Sequence, residues 1–238
     1  GVVYGWGGGL LSVKNSRFFG CWPVSSRSDF GGTFFGAIIV DGIEITRNDS
    51  AGLFVVDLGT HPLGASTPVQ APASIEVSGV KRLGPASVDN GEIIPVRVKV
   101  LDASSVVYAP KRISVKDVAG MHDRWRFGLR IDMLNMEGSL PSLVTKVIVD
   151  NVYPENAAGS SSNLLTSGIL DYDQIRTPTT PVRPSIKVSN ADQIGIKMRA
   201  ANFVDIRCSN VGLNAVEVNT TTPTKPSVWL DNCRLHSL

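Results

Sequence analysis

The stretch FVDIRCSNVGLNAVEVNTTTP, Phe203 to Pro223, holds two short alternating runs with almost nothing between them. Val204, Ile206 and Cys208 share one parity, and Asp205, Arg207 and Ser209 share the other. Asn210 closes the apolar set, a turn follows, and a second run spans Ala215 to Asn219. Period-two alternation over a few residues is the signal of a half-buried strand. The same frame, two apolar residues and then Asn at every second position, recurs along the chain. VWLDNC carries Val228, Leu230 and Asn232, IKVSNA carries Ile186, Val188 and Asn190, and VIVDNV carries Val147, Val149 and Asn151. ISVKDV ends on Asp117, LSVKNS on Asn15 and IEVSGV on Gly79, while IEITRND is a looser copy ending near Asn48.

Asn, Asp and Gly are the residues that tolerate left-handed backbone, so each copy is expected to turn sharply at its last position. If the copies stack, the side chains of Asn151, Asn190, Asn210 and Asn232 form a hydrogen-bonded ladder. As members of the apolar parity, these amides are expected to face inward and to satisfy one another there.

A second strand precedes most copies: RFGLRIDM, IGIKMRA, NAVEVNT, PVRVKV and FGAIIVDG. One unit therefore reads strand, variable loop, strand ending at Asn, short turn. Asn190, Asn210 and Asn232 follow one another at 20 and 22 residues. Earlier units are longer, and the extra length sits in polar loops such as ENAAGSSSN, RTPTTPVRP, LGASTPVQAPA and GPASVDNGE. A repeat of this length with insertions at one place is the signature of a solenoid. With no amphipathic helix in view, the pattern predicts an all-β parallel β-helix with variable loops over residues 1–238. A jelly-roll or other sandwich is the rival.

Of the 238 residues, 42% are hydrophobic, enough for a large core, and the net charge is +2. That charge makes no electrostatic case for nucleic acid or an anionic membrane. No apolar run reaches the roughly 18 residues of a membrane helix, and no basic-then-apolar secretion signal is visible. The start at Gly1 rather than Met reads as a processed product or as one domain excised from a longer chain. Cys21, Cys208 and Cys233 have no metal-ligand spacing and an odd count, which favours reduced cysteines in strands. Neither a metal nor a cofactor is indicated.

These repeats resemble the right-handed parallel β-helix superfamily of pectate lyases, polygalacturonases and phage tailspikes. The resemblance spans nearly the whole chain, but at the level of coil architecture and the Asn turn. The polygalacturonase motifs Asn-Thr-Asp, Asp-Asp, Gly-His-Gly and Arg-Ile-Lys are missing; GMHDR around His122 is the nearest approach. In style the chain is most similar to bacteriophage tailspikes and tail fibres. That implies a homotrimeric, single-stranded right-handed β-helix on a virion tail, assembled in the host cytoplasm. Its partner would be bacterial surface polysaccharide, bound and in some members cleaved by a glycosidase or lyase. A structural virion appendage or adhesin without catalysis is one alternative. A free, secreted pectinase-like enzyme is the other.

A packed solenoid leaves only its outer faces and loops for chemistry. One outward column reads Arg97 and Lys99, Arg130 and Asp132, Asp171 and Asp173, Lys197 and Arg199, then Glu217 and Asn219. Leu170 and Tyr172 are read as inward; burying both aspartates instead would be prohibitive. Alternate residues on a strand lie about 6.7 Å apart, inside the separation for inverting glycoside hydrolysis. Asp171, Asp173 and Asp132 are therefore the candidate catalytic carboxylates, with Glu44 and Glu76 a second acidic pair. Outward carboxylates beside Lys and Arg equally describe a solvated ion-pair face. The loop GMHDRWRFG groups His122, Asp123, Arg124 and Trp125, an aromatic ringed by polar groups as sugars require. With Arg130, Lys197 and Arg199 these form the expected glycan-binding set. Trp229 reads as outward, whereas His61 and His236 carry no partner spacing.

Overall fold

The computed structural model describes residues 2–3, 9–19, 24–28, 36–46, 53–60, 69–70, 72–83, 93–100, 107–108, 110–121, 129–130, 136–137, 144–154, 169–173, 183–199, 205–219 and 227–235. These residues are all-β, without a helix among them, and every described strand pairing is parallel. Through the main, 11-stranded sheet run Gly9–Phe19, Gly36–Thr46, Ser74–Leu83, Arg112–Met121, Val144–Pro154, Arg183–Arg199, Asp205–Asn219 and Ser227–Asp231 in chain order. Leu129–Arg130, Ile169–Asp173 and Arg234–Leu235 complete that sheet, and other intervening segments serve smaller ones. Val24–Ser28, Leu53–Thr60 and Ile93–Val100 join Val2–Val3, while Val69–Gln70, Val107–Tyr108 and Met136–Glu137 form a 3-stranded sheet. A chain that returns repeatedly to one parallel sheet is consistent with a β-solenoid, and its pairing is not that of an antiparallel sandwich.

The main-sheet strands bend or end at one residue of positive φ, as the repeating frame predicts. Asn15 stands at 49°, Asp117 at 52°, Asn151 at 54°, Asn190 at 49°, Asn210 at 54° and Asn232 at 48°. Gly79 takes the same place at 61°. The second repeat departs from the sequence reading. Its corner is Gly42, at 64°, and IEIT follows that corner rather than leading to Asn48, which lies outside the described residues. GAIIVDG thus lies on the main-sheet strand of its repeat, with glycine standing in the Asn column.

The corner organises the core. Two residues before it stand Val13, Val40, Val77, Val115, Val149, Val188 and Cys208, all buried. Four before it stand Ile38, Ile75, Ile113, Val147, Ile186 and Ile206, and one after it Ile43, Val80, Val118, Val152, Ala191 and Val211. Each column stacks like on like through parallel register. Burying each Val or Ile stabilises by about 1.5–3 kcal/mol relative to exposure. Cys208 fills a valine position and Cys233 the column beyond the corner, as expected of cysteine used as a small hydrophobe. Thr145, buried among the columns, donates to the Pro110 carbonyl at 2.6 Å, so its hydroxyl is satisfied.

The ladder forms in part, linking Asn190, Asn210 and Asn232 while Asn190 turns to Asp150 instead of Asn151, and it points the other way from expectation. Asn232 Nδ2 donates to Asn210 Oδ1 at 2.8 Å, and Asn210 Nδ2 to Asn190 Oδ1 at 3.3 Å. Asn190 Nδ2 donates to Asp150 Oδ1 at 3.0 Å, and Asn151 Nδ2 to Asp117 Oδ1 at 2.5 Å. Asn151, Asn190, Asn210 and Asn232 are all exposed. A left-handed residue interrupts two-residue alternation, so residues at −2 and +1 face inward while the corner side chain lies outside.

Candidate functional site

The pre-corner half of the main sheet presents one outer face. Relative to the corner, position −3 carries Glu76, Ser114, Ile148, Lys187, Arg207 and Trp229 in successive strands, paired in register. Position −5 carries Arg112, Lys146, Ser185, Asp205 and Ser227. Trp229 is 64% exposed, in agreement with its outward reading, and the Arg207 guanidinium lies 5.9 Å from its ring centroid. That distance suits a cation–π contact. Asp205 holds Arg207 from along the strand, with its Oδ2 3.3 Å from Nε. The aromatic plane and guanidinium arise because IRCSN and VWLDN share one frame, placing Arg207 and Trp229 at the same offset from their corners. Aligning those two copies in sequence predicts the pair; reading Trp229 alone misses Arg207.

On the same face Arg112 pairs with Glu76 at 3.8 Å. Lys146 and Lys187 are exposed and have no carboxylate partner among the described residues. Beyond the corner, Arg17 forms an ion pair with Glu44. Glu44 therefore does not join Glu76: it follows Gly42 by two residues and pairs in register with Lys81, whereas Glu76 precedes Gly79 and pairs with Ile39. The two acids stand on opposite sides of the bend, which removes them as an acid pair.

The candidate catalytic carboxylates are placed only by backbone register. Leu170 pairs with Ile196, a buried residue, so Asp171 and Asp173 occupy the strand parity opposite to the buried one. Asp171 pairs with Arg130 on one side and Lys197 on the other, and Asp173 pairs with Arg199. Lys197 in turn pairs with Glu217, giving the register order Arg130, Asp171, Lys197, Glu217. Among the described pairings, no second carboxylate is the direct cross-strand neighbour of Asp171 or Asp173. Arg97 pairs in register with Asp57. Asp132, His122, Asp123, Arg124 and Trp125 lie outside the described residues, as do Cys21, His61 and His236.

At the last corner a surface recess of about 370 Å³ lies beside Asn210, Asn232, Gly212 and Arg234. Its neighbour Cys233 is partly exposed, with Sγ 3.5 Å from the Cys208 carbonyl oxygen. Burial, with a smaller contribution from Cys233, pushes the Cys208 thiol from 9.0 up to about 12. Such a thiol is held protonated and is a poor nucleophile.

Comparison with family models, with curated proteins and with solved structures finds no match to this chain.

Proposed function

We propose that the chain is a right-handed, single-stranded parallel β-helix module of the tailspike and tail-fibre type, and that it binds bacterial surface polysaccharide. The observation that carries this reading is the exposed Trp229 ring with Arg207 beside it, mounted on a stack of register-paired strands. A pyranose packs its C–H patch on an aromatic face, while guanidinium and carboxylate groups meet its hydroxyls. Rigid strands hold such groups more closely than loops do. Assembly as a homotrimer on a virion tail belongs to the same reading.

Cleavage would fall to Asp171, Asp173 and Asp132 as general acid and base in an inverting hydrolysis. A purely binding or structural module is the second reading. It is favoured by the alternation Arg130, Asp171, Lys197, Glu217, in which each carboxylate already has cationic register neighbours.

The test is incubation of the purified chain with capsular polysaccharide and lipopolysaccharide from a panel of bacteria, following binding and product size together. Binding to at least one glycan, lost in Trp229→Ala with melting unchanged, is expected. Shortened products abolished by Asp171→Asn or Asp173→Asn would assign the depolymerase. Binding without shortening would leave an adhesion module, and no binding across the panel would remove the glycan reading.

A further inference from the structure

The outer face before the corner differs from the alternating one in the sign of its neighbours. Arg112 and Lys146 are directly paired in register, and so are Lys187 and Arg207. Lys146 is offset from Lys187 by one strand and two residues, a diagonal of roughly 8 Å. Arg207 leads to Trp229 in the next strand. The result is a continuous stripe across five consecutive strands: Arg112, Lys146, Lys187, Arg207, Trp229. All of these side chains are exposed. Adjacent strands lie about 4.8 Å apart, so the stripe extends for roughly 19 Å.

Like charges directly opposite one another destabilise a sheet. The local carboxylates relieve this only in part. Glu76 serves Arg112 at the outer end, and Asp205 serves Arg207 within its own strand. Asp150, diagonal to Lys187, accepts from Ser189 Oγ at 2.8 Å and from Asn190 Nδ2 at 3.0 Å. The middle of the stripe is left with two lysines and no described acid in contact. An extended anion laid along it would neutralise both like-charged pairs at once.

Resting on the glycan reading above, we infer that this stripe binds an acidic polysaccharide, one bearing uronate, sulfate or a similar anion along its chain. Trp229 takes the apolar face of one sugar at the end of the stripe, and Arg207 and Lys187 take the anionic groups of the following residues. Arg supplies planar paired donors and Lys a point charge, so each suits a carboxylate or sulfate. The chain's modest net charge of +2 favours such a local stripe over the broad basic field that nucleic acid recruits.

The experiment is titration of the purified chain with alginate, heparin, neutral dextran and a single-stranded oligonucleotide at low and physiological salt. The expected result is binding to alginate or heparin that weakens as salt rises, with little binding to dextran. Lys146→Ala, Lys187→Ala and Arg207→Ala should each weaken it about fivefold or more, whereas Lys14→Ala, outside the stripe, should not. Thermal melting of each variant separates lost binding from lost folding. Equal binding to dextran, indifference to all three substitutions, or preference for the oligonucleotide would overturn the inference. Binding confined to neutral glycans would overturn the stripe and leave the glycan reading intact; absence of binding to any polysaccharide, the bacterial panel included, would remove both.

Discussion

The corner is built in two ways within the main sheet, around asparagine and around glycine. At Asn190, Asn210 and Asn232 the left-handed residue carries an amide, and each amide reaches the previous repeat. At Gly42 and Gly79 the backbone makes the same turn, φ 64° and 61°, with no side chain to reach with. There the polar link moves one residue earlier: Ser78 Oγ donates to Asp41 Oδ1 at 2.7 Å. Asp150 shows both solutions together, accepting from Ser189 as well as from Asn190. Positive φ is thus the requirement common to every corner, and the ladder is one of two ways to join neighbouring repeats around it.

If so, glycine corners should be the less forgiving. A Cβ at Gly79 would lie 3.0 Å from the Gly42 backbone nitrogen and 3.3 Å from its Cα, so backbone itself would have to move. Gly79→Ala combines that contact with a left-handed penalty of roughly 1–2 kcal/mol, and a total loss of about 2–3 kcal/mol is expected in urea unfolding. Gly79→Asn keeps the contact while easing the backbone penalty, and should still cost about 1 kcal/mol. An Asn variant as stable as the parent would show the two corner types to be interchangeable and break the comparison.

Asn corners should show a smaller, separable cost. Asn210→Ala loses both a favourable left-handed residue and two exposed ladder bonds, for about 1–2 kcal/mol. Asn210→Gly restores the backbone freedom and loses only the bonds, so its cost should stay below about 1 kcal/mol. Were Gly to cost as much as Ala, the ladder rather than the backbone would be the main contribution of Asn.

The strands, most corners and the Asn190–Asn210–Asn232 links are legible because each repeats in one frame, whereas Asn190 turns to Asp150 rather than to Asn151. The Gly42 corner is less legible because glycine stands there in place of the Asn that marks the frame, although Ile38 and Val40 precede it at the proper spacing. The outward aim of the amides was not legible, since simple alternation continues through Asn210 in sequence while the left-handed φ breaks it in space. Register was harder still. The separation of Glu44 from Glu76 and the abutting of Arg112 with Lys146 depend on which strands are neighbours after long loops of unequal length. Residue parity cannot supply that. The His122–Trp125 loop, by contrast, stands out by composition alone, and its residues lie outside the described ones.

The smallest effect concerns the column in which Cys208 stands. Every other described buried residue two before a corner is valine, so Cys208→Val matches both shape and polarity and should alter stability by less than about 1 kcal/mol at neutral pH. Alkaline pH should then separate the two proteins. Burial holds the Cys208 thiol protonated to about 12, whereas an unfolded thiol ionises near 9.0. Below that lower value both states carry the proton and the residue adds no pH dependence. Above it the unfolded chain sheds the proton first, so stability declines progressively from pH 9.0 toward 12. Urea midpoints measured between pH 7 and 10.5 should fall more steeply for the parent than for Cys208→Val. Parallel curves would mean that the thiol reaches solvent as freely in the fold as outside it, and that the valine column opens where cysteine replaces valine.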